Sequence, residues 1–352
     1  NKGDEAYPYF TCELGGGMMT SYHRRPYIYP EDAYSLAIVK LGSGSNLLGY
    51  YMYHGGTNPS AMMPGNLDDG SAVYLNENQR TQATNYNDMP VKTYDFQAPL
   101  GEFGQKNPHY FMLRKLHLFM HDYAEVLAPM ESSFPCRQDI EKGDDSHLRW
   151  SLRSKDKSGF VFINNYERLQ QLSAKKNVQF EVCGVKFPQR PMTVPAGAMC
   201  IFPVNIDGIR YATAQLIAKR DGKIYLEQIK GIPTEIAVDG KVLKNVKAKG
   251  IAKPVYKNIY LVDSKTAEHL FLQEEGISVE QKNGSVKSQT SKSKKMVQMM
   301  SLAPSFKKIK EAESVRKITM GVQKVAEEPS DADFKKAAVY QLNLSPEMLQ
   351  GR

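Results

Sequence analysis

The first part of the fold is decided by the stretch Tyr7-Pro-Tyr-Phe-Thr-Cys-Glu13. This short apolar run ends in a carboxylate and leads into Gly15-Gly16-Gly17. Such a run, followed by glycines, predicts a strand that enters a loop. Pro30 and the two acids after it predict a helix start, and Gly42 predicts its end. The continuous apolar run from Leu47 to Tyr53 is typical of a buried parallel strand.

The rest of the fold is predicted by a second helix and by a change in the spacing of apolar residues, from helical to strand-like. Asn107-Pro108 starts a helix whose apolar residues recur at helical spacing as far as Leu127. After about residue 145 one strand pattern follows another, with Asp221-Gly222 and Asp239-Gly240 as hairpin signals. The sequence therefore predicts α/β plus all-β structure. Two strand-helix units of the (β/α)8 barrel type precede a β-sandwich, and they are too few to close a barrel, which takes about 250 residues.

Composition and charge exclude several classes of protein. The chain is 41% hydrophobic and 24% charged, as expected for a globular protein, and it contains no apolar run long enough for a membrane span. The formal net charge is +8, and fourteen Lys or Arg against eight Asp or Glu follow Gly276. The basic tract Ser285–Lys295 lacks the aromatic residues that stack on bases. We therefore favour a solvated linker over nucleic-acid or anionic-surface binding, and we expect no nucleic-acid partner.

Cysteine and histidine spacing predicts neither a metal site nor a cofactor. The four cysteines are too far apart for a zinc or redox motif, and we expect mostly buried thiols, with one disulfide in an oxidising compartment: Cys12, Cys136, Cys183 and Cys200. The histidines of the second helix lack a third ligand and are predicted to lie on its surface: His109, His117 and His121.

Four segments resemble glycoside hydrolase family 35, the β-galactosidases, and their ordered set resembles a Bacteroides-type branch of it. They are Pro8-Tyr-Phe-Thr-Cys-Glu13, Tyr50-Tyr-Met-Tyr-His-Gly-Gly-Thr-Asn58, Tyr94-Asp-Phe-Gln-Ala-Pro-Leu-Gly-Glu102 and Tyr110-Phe-Met-Leu-Arg114. The resemblance implies that residues 1–130 are the C-terminal portion, the last two βα units, of a catalytic TIM (β/α)8 barrel. We expect a β-sandwich domain over 131–275, then over 276–352 a basic linker and the start of a further β-rich, jelly-roll-like domain.

The resemblance also implies that Glu13 is the catalytic nucleophile. Retaining hydrolysis needs a second carboxyl group about 5 to 5.5 Å away as acid/base. In the family that group lies on an earlier strand, in a segment expected to precede Asn1. Asp95 and Glu102 are predicted to be structural hydrogen-bonding groups, so we expect the chain alone to be an inactive fragment.

Substrate-binding candidates come from the same resemblance. Tyr94 matches an active-site tyrosine, with a core position as the alternative. Phe96 stands where many members have a tyrosine, and Met18 stands where others have aromatic residues. His54 is a candidate for the mouth of the site, although we favour a structural role. Because Met18 and Phe96 depart from the family pattern, the sugar specificity stays open.

The predicted function is hydrolysis of terminal non-reducing β-D-galactose residues from oligo- or polysaccharides by a retaining double-displacement mechanism. The family implies a periplasmic or secreted enzyme without a cofactor, and assembly into a homo-oligomer is left open. Two alternatives remain. One is a catalytically inert carbohydrate-binding or structural module, and the other is a related retaining exo-glycosidase with another sugar specificity.

Overall fold

A computed structural model describes residues 8–18, 26–57, 62–64, 72–74, 93–135, 143–273, 276–280, 286–288, 305–309 and 339–343. Cys136 and most of the predicted basic linker lie outside these ranges. None of the helices in the described ranges combines the length and the apolar character needed to cross a membrane.

Strands and helices alternate in the first part of the chain. Its elements are β1 (Tyr9–Gly15), α1 (Pro30–Gly42), β2 (Ser45–Tyr51), β3 (Gly56–Thr57), β4 (Met62–Pro64), β5 (Ala72–Tyr74), β6 (Thr93–Tyr94), α2 (Pro108–Leu127) and β7 (Glu131–Ser133). β1 and β2 pair in parallel, whereas β3 pairs antiparallel with β6, and β4 with β5. The predicted strand-helix-strand order and both helix starts are confirmed. The prediction of a buried strand from Leu47 to Tyr53 is wrong, because β2 ends at Tyr51 and its Leu47 side chain is exposed; among the described strands β2 pairs only with β1.

The remainder is mostly strand. Its elements are β8 (Arg149–Lys155), β9 (Ser158–Asn164), β10 (Lys175–Val182), β11 (Val185–Val194), β12 (Met199–Ile206), β13 (Ile209–Ala212), β14 (Gln215–Arg220), β15 (Lys223–Gln228), β16 (Ile236–Val238), β17 (Lys241–Leu243), β18 (Ile259–Asp263), α3 (Ser264–Glu268), β19 (Leu270–Gln273), β20 (Gly276–Glu280), β21 (Val286–Ser288), β22 (Ser305–Ile309) and β23 (Val339–Asn343). Asp221-Gly222 joins β14 to β15, and Asp239-Gly240 joins β16 to β17. All four residues have positive φ, as two-residue hairpin turns require, so both predicted hairpins are confirmed.

A seven-stranded sheet with the order β17-β16-β13-β12-β9-β8-β7 forms the centre of the described structure. One face packs against α1, α2 and the three-stranded sheet β14-β15-β18, and the other packs against the β10–β11 hairpin. Side chains of β9 alternate between these faces, with Phe160 and Phe162 toward the helices and Val161 and Ile163 toward the hairpin. Because both faces of the sheet are covered, residues 160–163 of β9 are all apolar. Four phenylalanines of these strands are buried: Phe160, Phe162, Phe180 and Phe202.

The apolar core continues across residue 131. Leu116 and Phe119 of α2 belong to the same buried cluster as Phe160, Ile201 and other residues of the seven-stranded sheet. The chain is thus mixed α/β with much strand. Its division at residues 130 and 275, and its assignment to the end of a barrel followed by a sandwich, stay predictions.

Arg153 joins the two parts of the chain through a buried guanidinium. It is 1% exposed, and its five N–H groups donate to the carbonyls of Met130 (2.9 Å), Leu41 (3.0 Å), Ser45 (3.3 Å) and Leu127 (2.8 Å) and to Asn46 Oδ1 (2.8 Å). A cation at the carboxyl ends of α1 and α2 is favoured by both helix dipoles. Burial lowers the pKa of Arg153 to about 10, so the side chain stays charged at neutral pH.

A buried ion pair makes a second connection. Lys115 Nζ of α2 lies 2.9 Å from Glu227 Oε2 of β15, and both side chains are almost fully buried. Burial lowers the pKa of Lys115, but Glu227, Tyr34 and Glu268 together more than offset this effect, and the pKa lies above its ordinary value. The charged form of Lys115 is therefore the one that the fold stabilises.

The prediction of mostly buried thiols is wrong for Cys12, which is exposed, and only in part right for Cys183, which is half-buried. Cys200 is buried, and burial raises the pKa of its thiol. All three are free thiols. Cys12 is exposed because of an irregularity in β1, which also affects the neighbouring glutamate.

Candidate active site

The carboxyl ends of β1 and β2 meet at one edge of their sheet. Parallel pairing aligns Leu14 with Tyr50 and Gly15 with Tyr51, so the loops after the two strands begin side by side. Loops at this edge of parallel sheets commonly form the binding site. Glu13, the predicted nucleophile, lies in β1 two residues before the end of the strand.

An extra residue in β1 determines the environment of Glu13. From Thr11 to Leu14 the strand advances three residues, while β2 advances only from Leu48 to Tyr50. Such a bulge breaks the alternation of side chains, and here Cys12 and Glu13 are both exposed, with buried neighbours on either side. The Glu13 carboxylate forms no ion pair or hydrogen bond within the described ranges, and it is accessible to a solvent-borne ligand.

The glycines after Glu13 are needed because two backbone segments approach them closely. A Cβ at Gly16 would lie 2.3 Å from the Met52 carbonyl oxygen, and one at Gly17 would lie 2.2 Å from the Phe96 carbonyl oxygen. The Gly16 N–H also donates to the Tyr51 carbonyl at 3.3 Å. The glycine loop is therefore fixed between the end of β2 and the 95–98 turn.

Three aromatic residues lie beside this loop, and we call them the aromatic trio: Tyr51, Tyr94 and Phe96. The hydroxyls of Tyr51 and Tyr94 are hydrogen-bonded to each other. The Phe96 ring centroid lies 4.3 Å from that of Tyr94 and 6.0 Å from that of Tyr51. Phe96 is buried and has φ 54°, so it occupies a strained turn, a feature common at functional sites. Sequence reasoning found Tyr94 and Phe96 but missed Tyr51, which is one of several tyrosines in the quoted motif.

The other two binding candidates lie on different sides of the loops. The Met18 N–H donates to the Phe96 carbonyl at 2.6 Å, and the Met18 side chain is exposed. His54 is exposed after β2, where its Nδ1 is hydrogen-bonded to the Gly55 carbonyl. The structure thus brings Met18, Tyr94 and Phe96 together, whereas the His54 imidazole bonds within its own loop and the His54 backbone is paired with Leu100.

Asp95 and Glu102 stabilise this loop through hydrogen bonds. Asp95 accepts from the backbone N–H groups of Gln97 and Glu102, both at 3.1 Å. Glu102 accepts from the hydroxyls of Thr57 and Thr93, both at 2.5 Å. These contacts agree with the structural role predicted for both acids.

His109 differs from the prediction of a helix-surface residue, since it is only 4% exposed. It lies in the first turn of α2, where hydrogen bonds tie Asn107 to the carbonyls of Ala98 and Pro99 and so bring the helix start against the site loops. Burial lowers the pKa of His109, which outweighs the opposite effect of backbone hydrogen bonds with Gln97 and Gly16. The His109 imidazole is therefore neutral at pH 7, and it is buried where the start of α2 meets the site loops.

The other two helix histidines also differ from each other. His121 is exposed, as predicted, and lies beside Asp122. His117 is half-buried against β2, with Nε2 2.9 Å from the Tyr50 hydroxyl, and burial lowers its pKa to about 4. Within the described ranges, no group of three His, Cys, Asp or Glu side chains could hold a metal ion.

Sequence comparison covers the part of the chain that forms this site. Residues 1–120 match the model of a family described as glycosyl hydrolases family 35. The match includes 120 of the 352 residues and supports this family for the segment that contains Glu13. No curated protein matches the chain.

Proposed function

We propose that this chain carries the nucleophile of a retaining glycoside hydrolase that removes terminal non-reducing β-D-galactose from oligo- or polysaccharides. The position of Glu13 carries the proposal. An exposed carboxylate at the carboxyl end of a parallel strand lies inside the segment that matches the family, and a rigid glycine loop follows it. Rigid support and open access are both required of a nucleophile that must reach a sugar.

The chemistry is a double displacement. A Glu13 carboxylate oxygen attacks the anomeric carbon, while a second carboxylic acid gives its proton to the departing glycosidic oxygen. The same second group then takes a proton from water, whose oxygen attacks the anomeric carbon and releases Glu13. Two inversions at one carbon give overall retention of the β configuration.

The second carboxyl group is proposed to lie outside this sequence. Asp95 and Glu102 are the acids of the neighbouring loop, and each accepts two hydrogen bonds that maintain the loop. Using either of them as acid/base would break those contacts. We therefore expect this chain alone to be close to inactive.

Substrate contacts are proposed for four residues around the glycine loop. The hydroxyls of Tyr94 and its partner Tyr51 supply polar contacts, either to the sugar or to Glu13. Phe96 and Met18 supply apolar contacts, since neither side chain can donate a hydrogen bond. His54 is exposed beside the same loops, at the rim of the site.

The family resemblance extends the proposal to location and assembly. We propose a periplasmic or secreted enzyme that acts without a cofactor, of the Bacteroides-type branch. A homo-oligomer would cover the apolar side chains of Phe10 and Leu47, which are 56% and 43% exposed.

The decisive experiment replaces Glu13 in a longer protein that joins this chain to the missing carboxyl group. Glu13→Gln should lower kcat on a nitrophenyl β-galactoside by about 10⁴-fold or more while leaving galactose binding intact, because the amide cannot act as the nucleophile. Glu125→Gln, at an exposed position on α2, removes the same charge and should leave kcat unchanged. A fluoro-sugar inactivator should become attached to Glu13. A near-normal kcat for Glu13→Gln, or an adduct on another residue, would overturn the assignment.

Two further measurements test the alternatives. Calorimetry of this chain with galactose, together with the nitrophenyl assay, separates an inert binding module from an enzyme fragment. Turnover by the chain alone would contradict a missing acid/base. Aryl glycosides of other sugars, offered to the longer protein, determine whether the departures at Met18 and Phe96 change the sugar preference.

A further inference from the structure

A basic pocket lies in the β-rich region, away from the glycine loop and the aromatic trio. Its volume is about 740 Å³, within the usual size of ligand sites. Residues of β10, β11 and the segment after β17 line it: Gln179, Lys186, Gln189, Arg190, Pro191 and Lys244. Three of these six side chains are cationic, and none is acidic.

One wall of the pocket is a bulge in β11. From Phe187 to Met192 this strand advances five residues, whereas β10 advances only two between the paired positions, Phe180 and Val178. The additional residues form the segment 188–191, which has a proline at each end. Because proline fixes φ, the segment has few alternative conformations, and bulges of this kind often redirect side chains for function.

Hydrogen bonds hold this bulge in place. Gln179 Nε2 donates to the carbonyl of Pro188 at 2.8 Å, and the Gln189 N–H donates to Glu235 Oε2 at 3.0 Å. Glu235 also accepts from the Tyr211 hydroxyl at 3.1 Å. The backbone that presents Gln189 and Arg190 is therefore fixed before any ligand arrives, which lowers the entropic cost of binding.

The three cations of the pocket have no acidic side chain beside them in its lining. Lys186 and Arg190 lie in β11 and Lys244 follows β17, and none of them forms an ion pair with a carboxylate of the described ranges, although Glu181 is paired opposite Lys186 in the hairpin. Like charges that converge on one cavity repel each other. An anionic ligand would relieve this repulsion.

We propose that this pocket binds the anionic group of an acidic saccharide, either a uronate carboxylate or a sulfate. The Arg190 guanidinium forms a two-pronged contact with such a group, and Lys186 and Lys244 add point charges. Gln179 Oε1 and the Gln189 amide bind neighbouring hydroxyls, and the Pro191 ring packs against the apolar face of the sugar. The lining has no aromatic side chain on which a nucleic-acid base could stack.

The pocket is independent of the proposed catalytic residue, because none of its lining residues belongs to the segment 1–120. Ligand binding there should be the same in Glu13→Gln as in the unmodified chain. Failure of the galactosidase proposal would therefore leave this inference untouched.

The test is calorimetry of the full 352-residue chain with three oligosaccharides of equal length: oligogalacturonate, a sulfated galacto-oligosaccharide and neutral galacto-oligosaccharide. We expect one or both acidic probes to bind, the neutral probe to bind at least about tenfold more weakly, and high salt to weaken the acidic complex. The two acidic arms distinguish a carboxylate from a sulfate ligand.

The double variant Arg190→Gln/Lys244→Gln should weaken binding of the acidic probe by about tenfold or more, since two charge-assisted contacts are lost. Lys155→Gln/Lys157→Gln is the matched control, because it removes the same charge from exposed residues outside the pocket. An equal loss of affinity for the acidic probe in both double variants would indicate nonspecific electrostatic attraction and overturn the proposal. So would equal binding of single-stranded DNA, equal binding of the neutral probe, or no binding of either acidic probe.

Discussion

β1 and β2 have seven residues each, as does β9 of the seven-stranded sheet, but the β1–β2 pair and the larger sheet are supported in different ways. β9 is paired on both sides and buried on both faces. β1 and β2 pair only with each other among the described strands, so each has an open edge, and both carry exposed apolar residues. The strands that carry the candidate site therefore depend on α1, α2 and polar contacts from the β-rich region, whereas the seven-stranded sheet also packs against the β10–β11 hairpin and the β14-β15-β18 sheet.

The largest effect is expected from Arg153→Met, which removes the guanidinium that joins the two regions. Four carbonyls would each lose the Arg153 donor, although Leu41 and Leu127 keep a backbone donor, and we expect the free energy of unfolding to fall by about 4 kcal/mol. Trp150, the only tryptophan, packs against Phe180 and reports on the β-rich region, while circular dichroism at 222 nm reports largely on α1 and α2.

In Arg153→Met the helix signal should therefore be lost at lower denaturant concentration than the Trp150 signal. Arg210→Met, at an exposed arginine of β13 that contacts neither α1 nor α2 through an ion pair or hydrogen bond in the described ranges, is the control and should leave the two transitions together. Coincident transitions in Arg153→Met would contradict the view that the first region depends on the second.

A somewhat smaller effect is expected at the ion pair between Lys115 and Glu227. Lys115→Met leaves a buried carboxylate without its partner and should cost about 3 kcal/mol. The double variant Lys115→Met/Glu227→Leu should recover most of this loss, because no uncompensated charge remains. Denaturant titration of the two single variants and the double variant gives the coupling energy. A double variant as unstable as the sum of the singles would show that the pair is not coupled.

A pH-dependent effect is expected at His117, beneath β2. Its pKa is about 4 in the folded chain and ordinarily 6.5, so the neutral ring favours folding. This stabilisation is complete above pH 6.5 and is lost as the pH falls toward about 4, because the unfolded chain takes up the proton first. We expect the free energy of unfolding to fall by about 3 kcal/mol between pH 7 and pH 4 from this cause.

The measurement is the unfolding free energy of the wild type and of His117→Gln at several pH values. Carboxyl groups titrate in both proteins, so the difference between the two curves isolates His117. A constant difference between pH 7 and 4 would show that His117 does not titrate as the burial implies.

The smallest effect is expected from Tyr94→Phe, which removes one hydroxyl of the aromatic trio. Loss of the hydrogen bond with Tyr51 should cost about 1 kcal/mol. The rings stay in contact, so the helix and Trp150 transitions should remain together. A fall in the free energy of unfolding as large as that in Arg153→Met would mean that the loop of Tyr94 stabilises β1 and β2, instead of depending on them.

Local features of the sequence were enough to predict most elements and one site residue. Pro30 and Pro108 start helices, and the Asp-Gly pairs form hairpins, because these preferences act within a few residues of the chain. The prediction that Glu13 stands near a strand end is confirmed for the same reason, while its role stays a prediction. The burial of His109 and the exposure of Cys12 could not be predicted, since they depend on a helix start packed against site loops and on one extra residue in β1.

The sequence by itself thus determined the kinds of element, their order and the place of the candidate nucleophile. Only the tertiary structure decided that Arg153 lies at the ends of two helices more than twenty residues away, that Tyr51 joins Tyr94 and Phe96, and that three cations meet around a bulge. The physical reason is distance along the chain. Turn and cap preferences are properties of neighbouring residues, whereas burial, electrostatic pairing and cavities depend on which distant segments pack together.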